Sequence, residues 1–185
     1  MTKKSIIETP RLTLRKPNAG DTDACVSFMM SDRAQYVGGP LNHGRAWRSF
    51  ASIIGHWDLR GFGMFAIILK GTDQAIGMTG PYFPGDYKEV ELGWSIWTPE
   101  YEGQGLASEA ALAARNYAYD ALNLTTLVSF IAAENARSIA LAKRLGAEED
   151  ATAFDPYADE VGEGVIYRHP SHQTLGNDGN VEAYA

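Results

Sequence analysis

Residues 99–110, Pro-Glu-Tyr-Glu-Gly-Gln-Gly-Leu-Ala-Ser-Glu-Ala, join a strand-like run to an Ala-rich helical run through a loop punctuated by Gly103 and Gly105. Two glycines let a backbone come close to a ligand, and the first N–H groups of the following helix have no partner within the helix. The helix macrodipole adds about half a positive charge at that end, so a pyrophosphate could be held by Glu102, Gly103, Gln104, Gly105, Leu106, Ala107 and Ser108 through backbone groups, without a basic side chain. A tight turn feeding a helix is the other reading of the same loop. His43, His56, His169 and His172 lie far apart with no metal-ligand spacing, so no metal is expected. The sole cysteine, Cys25, reads as a small buried apolar residue of a first helix.

A second segment changes the weight of the loop. Residues 133–147 run Ala-Glu-Asn-Ala-Arg-Ser-Ile-Ala-Leu-Ala-Lys-Arg-Leu-Gly-Ala, following an apolar run and ending in a Lys-Arg-Leu-Gly helix stop. Together the two segments resemble the GNAT superfamily of acetyl-CoA-dependent N-acetyltransferases. In that family the pyrophosphate loop reads Gln/Arg-x-x-Gly-x-Gly/Ala, and residues 102–107 fit this frame. An Asn opening the helix after the next strand, with a Gly at its end, is the second landmark, and Asn135 and Gly146 take those places. The resemblance extends over residues 10–169 and is closest in flavour to the ribosomal-protein N-terminal acetyltransferase branch (RimJ/RimL-like), where openings like residues 9–15, Thr-Pro-Arg-Leu-Thr-Leu-Arg, are typical. Two positions depart from the pattern. Glu102 replaces the usual Gln or Arg and brings a carboxylate near the expected anion. Ala142 stands where many members carry a Tyr that protonates the departing thiolate.

The resemblance implies transfer of an acetyl group from acetyl-CoA to a primary amine, a protein N-terminus or a small molecule, by direct attack in a ternary complex. The pantetheine arm then lies between two splayed strands, with the thioester near Trp94, Ser95 and Ile96, and Asn135 bonds the pantetheine. Asn135 also suits a helix N-cap, and both roles are compatible. An amine nucleophile must lose a proton, because an α-amino group with a pKa of about 7.7 to 8.0 is mostly cationic near neutrality. Glu91, embedded among Val90, Leu92 and Trp94 on the strand expected to line the cofactor, is the candidate base. Its other reading is a polar residue on a solvated face shared with Glu89, paired with Lys88 or a neighbouring strand. Ser138, one turn into the last long helix, is a candidate acid in place of the missing Tyr, or an ordinary helix-surface serine. A non-catalytic acyl-CoA-binding module and transfer of another acyl group remain as alternatives. A dinucleotide-binding enzyme fits less well, since Ser108 stands at the third glycine position.

The elements that must position these groups follow from hydropathy. Strands are expected over residues 11–16, 63–70, 74–82, 88–97, 124–132, 148–154 and 163–169. Helices are expected from Asp21, as N-cap, to residue 30, over a second segment carrying Trp47, Phe50, Ile53, Ile54 and Trp57 and stopping near Gly61, and over residues 107–122 and 135–145. The resulting class is α/β (α+β): a mixed, mostly antiparallel sheet of about seven strands with a splayed central pair and flanking helices. Trp47, Trp57, Phe62 and Phe65 read as core, and His43 and Arg45 as acceptor contacts. The chain has 185 residues, of which 45% are hydrophobic, enough for one domain, assigned to residues 1–170, followed by a loose tail over 171–185. A net charge of −7 argues against a nucleic-acid module. No apolar run reaches the roughly 18 residues of a membrane span, the first residues lack a signal-peptide core, and one cysteine fits a reducing cytoplasm. A monomer or a homodimer is expected.

Overall fold

The structure is a computed structural model that describes residues 6–156 and 164–177. One sheet holds eight strands: β1 (Ile6–Glu8), β2 (Leu12–Arg15), β3 (Phe65–Leu69), β4 (Ala75–Tyr82), β5 (Glu91–Ile96), β6 (Val128–Ala132), β7 (Glu148–Glu149) and β8 (Gly164–Arg168). Their order is β1-β2-β3-β4-β5-β6-β8-β7, and every pair is antiparallel except β5 with β6. The strand beyond the expected seven is β1, whose three residues are too few to display an alternation.

Alternation along β3 divides the core. Phe65 and Ile67 join Leu12, Leu14, Ile76 and Leu92 on one face, against α3 (Leu106–Asp120). The intervening Ala66 and Ile68 join Ala75, Met78 and Trp97 on the other face, against α1 (Thr22–Met29) and α2 (His43–Arg60). Five alanines of α3, Ala110, Ala111, Ala113, Ala114 and Ala118, are buried, which brings the helix backbone close to the sheet. Gly61, at φ 73°, ends α2 as expected.

Several expectations change. Asp21 gives no side-chain cap to α1. Its carboxylate instead pairs with Arg15 at 2.7 Å and accepts the Asn18 N–H at 2.9 Å, closing a short 3-10 turn over Ala19–Asp21. Trp57 and Phe65 are buried edge to face with ring centroids 5.0 Å apart, but Trp47 is 52% exposed and outside the core. The strand expected over 148–154 stops after Glu149, because Asp150 turns the chain by accepting both the N–H and the hydroxyl of Thr152. Glu163, the first residue expected in the last strand, lies outside the described residues. Where a loose tail was expected, α5 (His172–Asn177) forms, with Ser171 Oγ accepting the Thr174 N–H and His172 stacked on Tyr119; residues 178–185 lie outside the described residues. No helix among the described residues is long and apolar enough to cross a membrane.

Candidate active site

β5 and β6 pair in parallel at one register position, Glu91 with Val128, and then separate. A backbone bond runs there from Val128 N–H to Val90 O at 3.1 Å. One residue on, a side chain takes over: the Ser129 hydroxyl donates to Leu92 O at 2.6 Å. That hydroxyl has one proton, so the His169 Nε2 atom 3.0 Å from Ser129 Oγ must carry the hydrogen and donate it. Burial, followed by the nearby Arg115 charge, pushes the His169 pKa down to about 3, so the ring is neutral near neutral pH. Ser129, supported by His169, thus links β6 to β5 at the point where the strands diverge. Beyond it Arg33, from the turn Asp32–Ala34, donates to Ile96 O and Trp97 O at 3.2 and 3.3 Å.

The loop after β5 has the backbone that the glycines promised. Gly103 and Gly105 adopt φ values of 71° and 75°, a left-handed conformation that other residues adopt only with strain. Gly105 is the N-cap of α3 and offers no side-chain cap, so the first N–H groups of the helix are left for a ligand. Arg11 fastens the loop to β2, donating to Gln104 O at 2.8 Å and to Glu109 Oε2 at 2.6 Å. Burial opposes ionisation of Glu109, yet bonds from Thr9 and Arg11 outweigh it and hold its pKa below the usual value. The Glu102 carboxylate is not an isolated negative charge beside the loop. It is bridged by Arg33 at 2.6 Å and by Arg137 at 2.5 Å, so this corner carries a net positive charge.

Two cavities meet here. An open groove of about 1560 Å³ takes in Ile96, every residue from Glu102 to Ser108, and the arginines Arg11, Arg33, Arg137 and Arg144. A cavity of about 550 Å³ lies on the α1–α2 side and includes Glu91, Gly93, Met64 and Tyr82. Trp94, Ser95, Asn135 and Ser138 line both. Helix α4 (Ala136–Arg144) presents its N-terminus at this junction, where Asn135 caps it by accepting the Ser138 N–H at 3.2 Å. Ser138 Oγ in turn accepts the Trp94 indole N–H at 3.2 Å. Ala142 is fully buried against Ile131 and Tyr167.

Glu91 lines the cavity but not the groove. It pairs with no cation among the described residues, and burial pushes its carboxyl up to about 8. Its sequence neighbour behaves differently: Glu89 forms a bidentate pair with Arg168 at 2.7 and 3.0 Å, and Lys88 lies over the Phe154 ring. The two glutamates do not share a role or an environment. Cys25 touches the cavity, and burial, with a smaller contribution from Asp21, pushes its thiol up to about 12, so it supplies no thiolate near neutrality. His43 and Arg45 line neither cavity.

All the residues expected to meet a CoA-type ligand converge on one groove, with both candidate catalytic side chains on the cavity it opens into. Arg33, Arg137, Ser129 and His169 were not anticipated. Arg137, two residues after Asn135 in the recognised segment, could have been found there. Arg33 carries no such signal, since 69 residues separate it from Glu102.

The chain belongs to the acetyltransferase (GNAT) domain family, whose model matches residues 11–148. Among curated proteins it is 29% identical to the uncharacterized N-acetyltransferase p20 of Bacillus licheniformis over 80% of this chain and 84% of that one. Among solved structures, an acetyltransferase from Agrobacterium tumefaciens is 36% identical, with a TM-score of 0.81 over 89% of this chain and 93% of that chain. The fold is also that of RimL, a ribosomal L7/L12 alpha-N-protein acetyltransferase solved with coenzyme A, at 16% identity, a TM-score of 0.70, and coverage of 89% and 97%.

Proposed function

We propose that this protein acetylates a primary amine by direct attack within a ternary complex with acetyl-CoA. The observation that carries the reading is the adjoining of the arginine-lined groove and the smaller cavity, whose linings share Trp94, Ser95, Asn135 and Ser138. The residues present fit acetyl-CoA: the first N–H groups of α3, the left-handed glycines and the Arg33–Glu102–Arg137 cluster suit a pyrophosphate, and nothing lies within 4 Å of a Cβ built on Gly103. When bound, acetyl-CoA supplies the activated acetyl thioester. Asn135 keeps its side-chain NH2 group for the pantetheine while its oxygen caps α4, and Trp94, Ser95 and Ile96 line that arm.

Glu91, as base, takes the proton that the acceptor ammonium must lose, on the cavity side of the junction. A carboxyl raised to about 8 is well matched to an amine near neutrality. Ser138, held by Trp94, gives a proton to the departing thiolate. The buried thiol of Cys25 supports transfer without a covalent acyl-cysteine. We place the reaction in the cytoplasm, carried out by a monomer or homodimer.

Free-thiol release from acetyl-CoA with a panel of amines tests the reading. Release that depends on both an amine and the protein is the expected result. CoA binding without release would leave a non-catalytic acyl-CoA-binding module, and preference for succinyl-CoA would change the donor.

A further inference from the structure

The wall of the cavity is uneven in a way that bears on the acceptor. Phe28, Met29, Ile53, Met64, Met78 and Trp97 make much of it apolar, with Gln35, Ser49 and Tyr82 as uncharged polar groups beside them. Among the described residues that line it there is no Lys, Arg or His. The described lining carboxylates are Glu91 and Asp155, the latter beside Gly164 and engaged in an interaction of its own. Tyr36 and Val37 border both the cavity and the groove, and each remains over a third exposed although apolar.

We infer that the acceptor is a small monoamine whose remaining atoms are uncharged and apolar, an arylalkyl or alkyl amine. This rests on the amine-acetylation reading and narrows it. A carboxylate on the acceptor, as in a free amino acid, finds no cation among the described lining residues and would lack an ion-pair partner there. A second ammonium, as in a polyamine, would lie against methionines and aromatic rings instead of water. A peptide backbone would lose hydrogen bonds that the apolar side cannot return. A volume of about 550 Å³ suits a ligand of small-molecule size. Met29, Met64 and Met78 are flexible and polarizable, so they can adapt to aromatic or branched tails.

The experiment measures kcat/KM by thiol release from acetyl-CoA with phenethylamine, hexylamine, spermidine, phenylalanine and a short peptide with a free N-terminus. The two monoamines are expected to exceed the other three by tenfold or more. Preference for spermidine, phenylalanine or the peptide, or equal use of all five, overturns the inference. Ile53→Glu adds a carboxylate to the apolar side and is expected to raise the spermidine-to-hexylamine ratio at least tenfold, whereas Ile53→Gln leaves that ratio unchanged; an unaltered ratio in a folded Ile53→Glu variant also overturns it. If no amine releases thiol, the acetylation reading fails by itself. Calorimetry on the CoA-saturated protein then decides the cavity: phenethylamine binding more tightly than spermidine sustains the inference, and the reverse removes it.

Discussion

The groove and the cavity share eight lining residues yet are built on different principles. The groove is wide and open, with anion-binding capacity distributed over a helix terminus, two left-handed glycines and several arginines. The cavity is smaller and lined largely by apolar side chains, with the Glu91 carboxyl pushed up to about 8 by burial. Distributed charge in an open groove binds additively and is screened by salt, so losing one group should be graded. A group that acts as the base from a largely apolar cavity carries its task alone, so losing it should be severe. Evidence for that division would come from variants whose effects separate binding from rate.

The largest effect belongs to Glu91. Removing a positioned base costs about a hundredfold to ten-thousandfold, so Glu91→Gln should lower kcat by that order with CoA affinity nearly unchanged. In the parent, activity should rise with pH as a group near 8 ionises, and in Glu91→Gln that limb should vanish or follow the amine's own pKa. Stability runs the other way. A carboxyl raised in the folded state contributes its full stability below its unfolded pKa of about 4.3 and loses it as pH rises through the folded value, so Glu91→Gln should gain in Tm over the parent between pH 5 and 9. Near-parental kcat with an unchanged pH profile would return Glu91 to a structural role.

Gly105 comes next. Its φ of 75° is strained for a β-branched residue, and a side chain there meets the Arg11 guanidinium at 3.5 Å. Gly105→Val should weaken CoA binding by tenfold or more in calorimetry while leaving the cavity intact. Smaller still is the arginine cluster. Arg137 is 84% exposed and tethered through Glu102, so Arg137→Ala should weaken CoA binding several-fold at low salt and hardly at all at high salt. Glu102→Gln releases both arginines, which leaves more positive charge for a phosphate but less order; tighter binding at low salt only is expected. Salt-independent affinities in both variants would mean that the cluster serves the fold and not the ligand.

What could be read from the chain alone follows the same division. The loop at Gly103 and Gly105 and the cap at Asn135 were legible because each is a local backbone requirement written in a few contiguous residues. Glu91 was legible as a carboxylate within an apolar run, but its separation from Glu89 was not, because that depends on Arg168, 79 residues away, claiming Glu89. The Ser129–His169 contact where β5 and β6 diverge was equally hidden: Ser129 lies on β6 and His169 just after β8, and neither residue type signals such a role. Asp21 had the right residue type for a cap, and Arg15 drew it elsewhere. The strand ending at Glu149 fell to side-chain bonding by Asp150, a local effect that hydropathy does not register.

Ser138 tests the junction itself, and here the expected effect is the smallest. A thiol pKa near 8.5 leaves the free thiolate only about 2 kcal/mol from protonation equilibrium at pH 7, so water can serve as acid when the serine is absent. Ser138→Ala should therefore lower kcat only a few-fold. It also takes from the Trp94 indole N–H an acceptor 3.2 Å away, loosening a side chain that borders both cavities. Replacing acetyl-CoA by an acetyl thioester with a more acidic thiol separates the two consequences. If Ser138 is the acid, the variant's deficit should shrink with the better leaving group, whereas a deficit that persists unchanged assigns the residue to holding Trp94 in place.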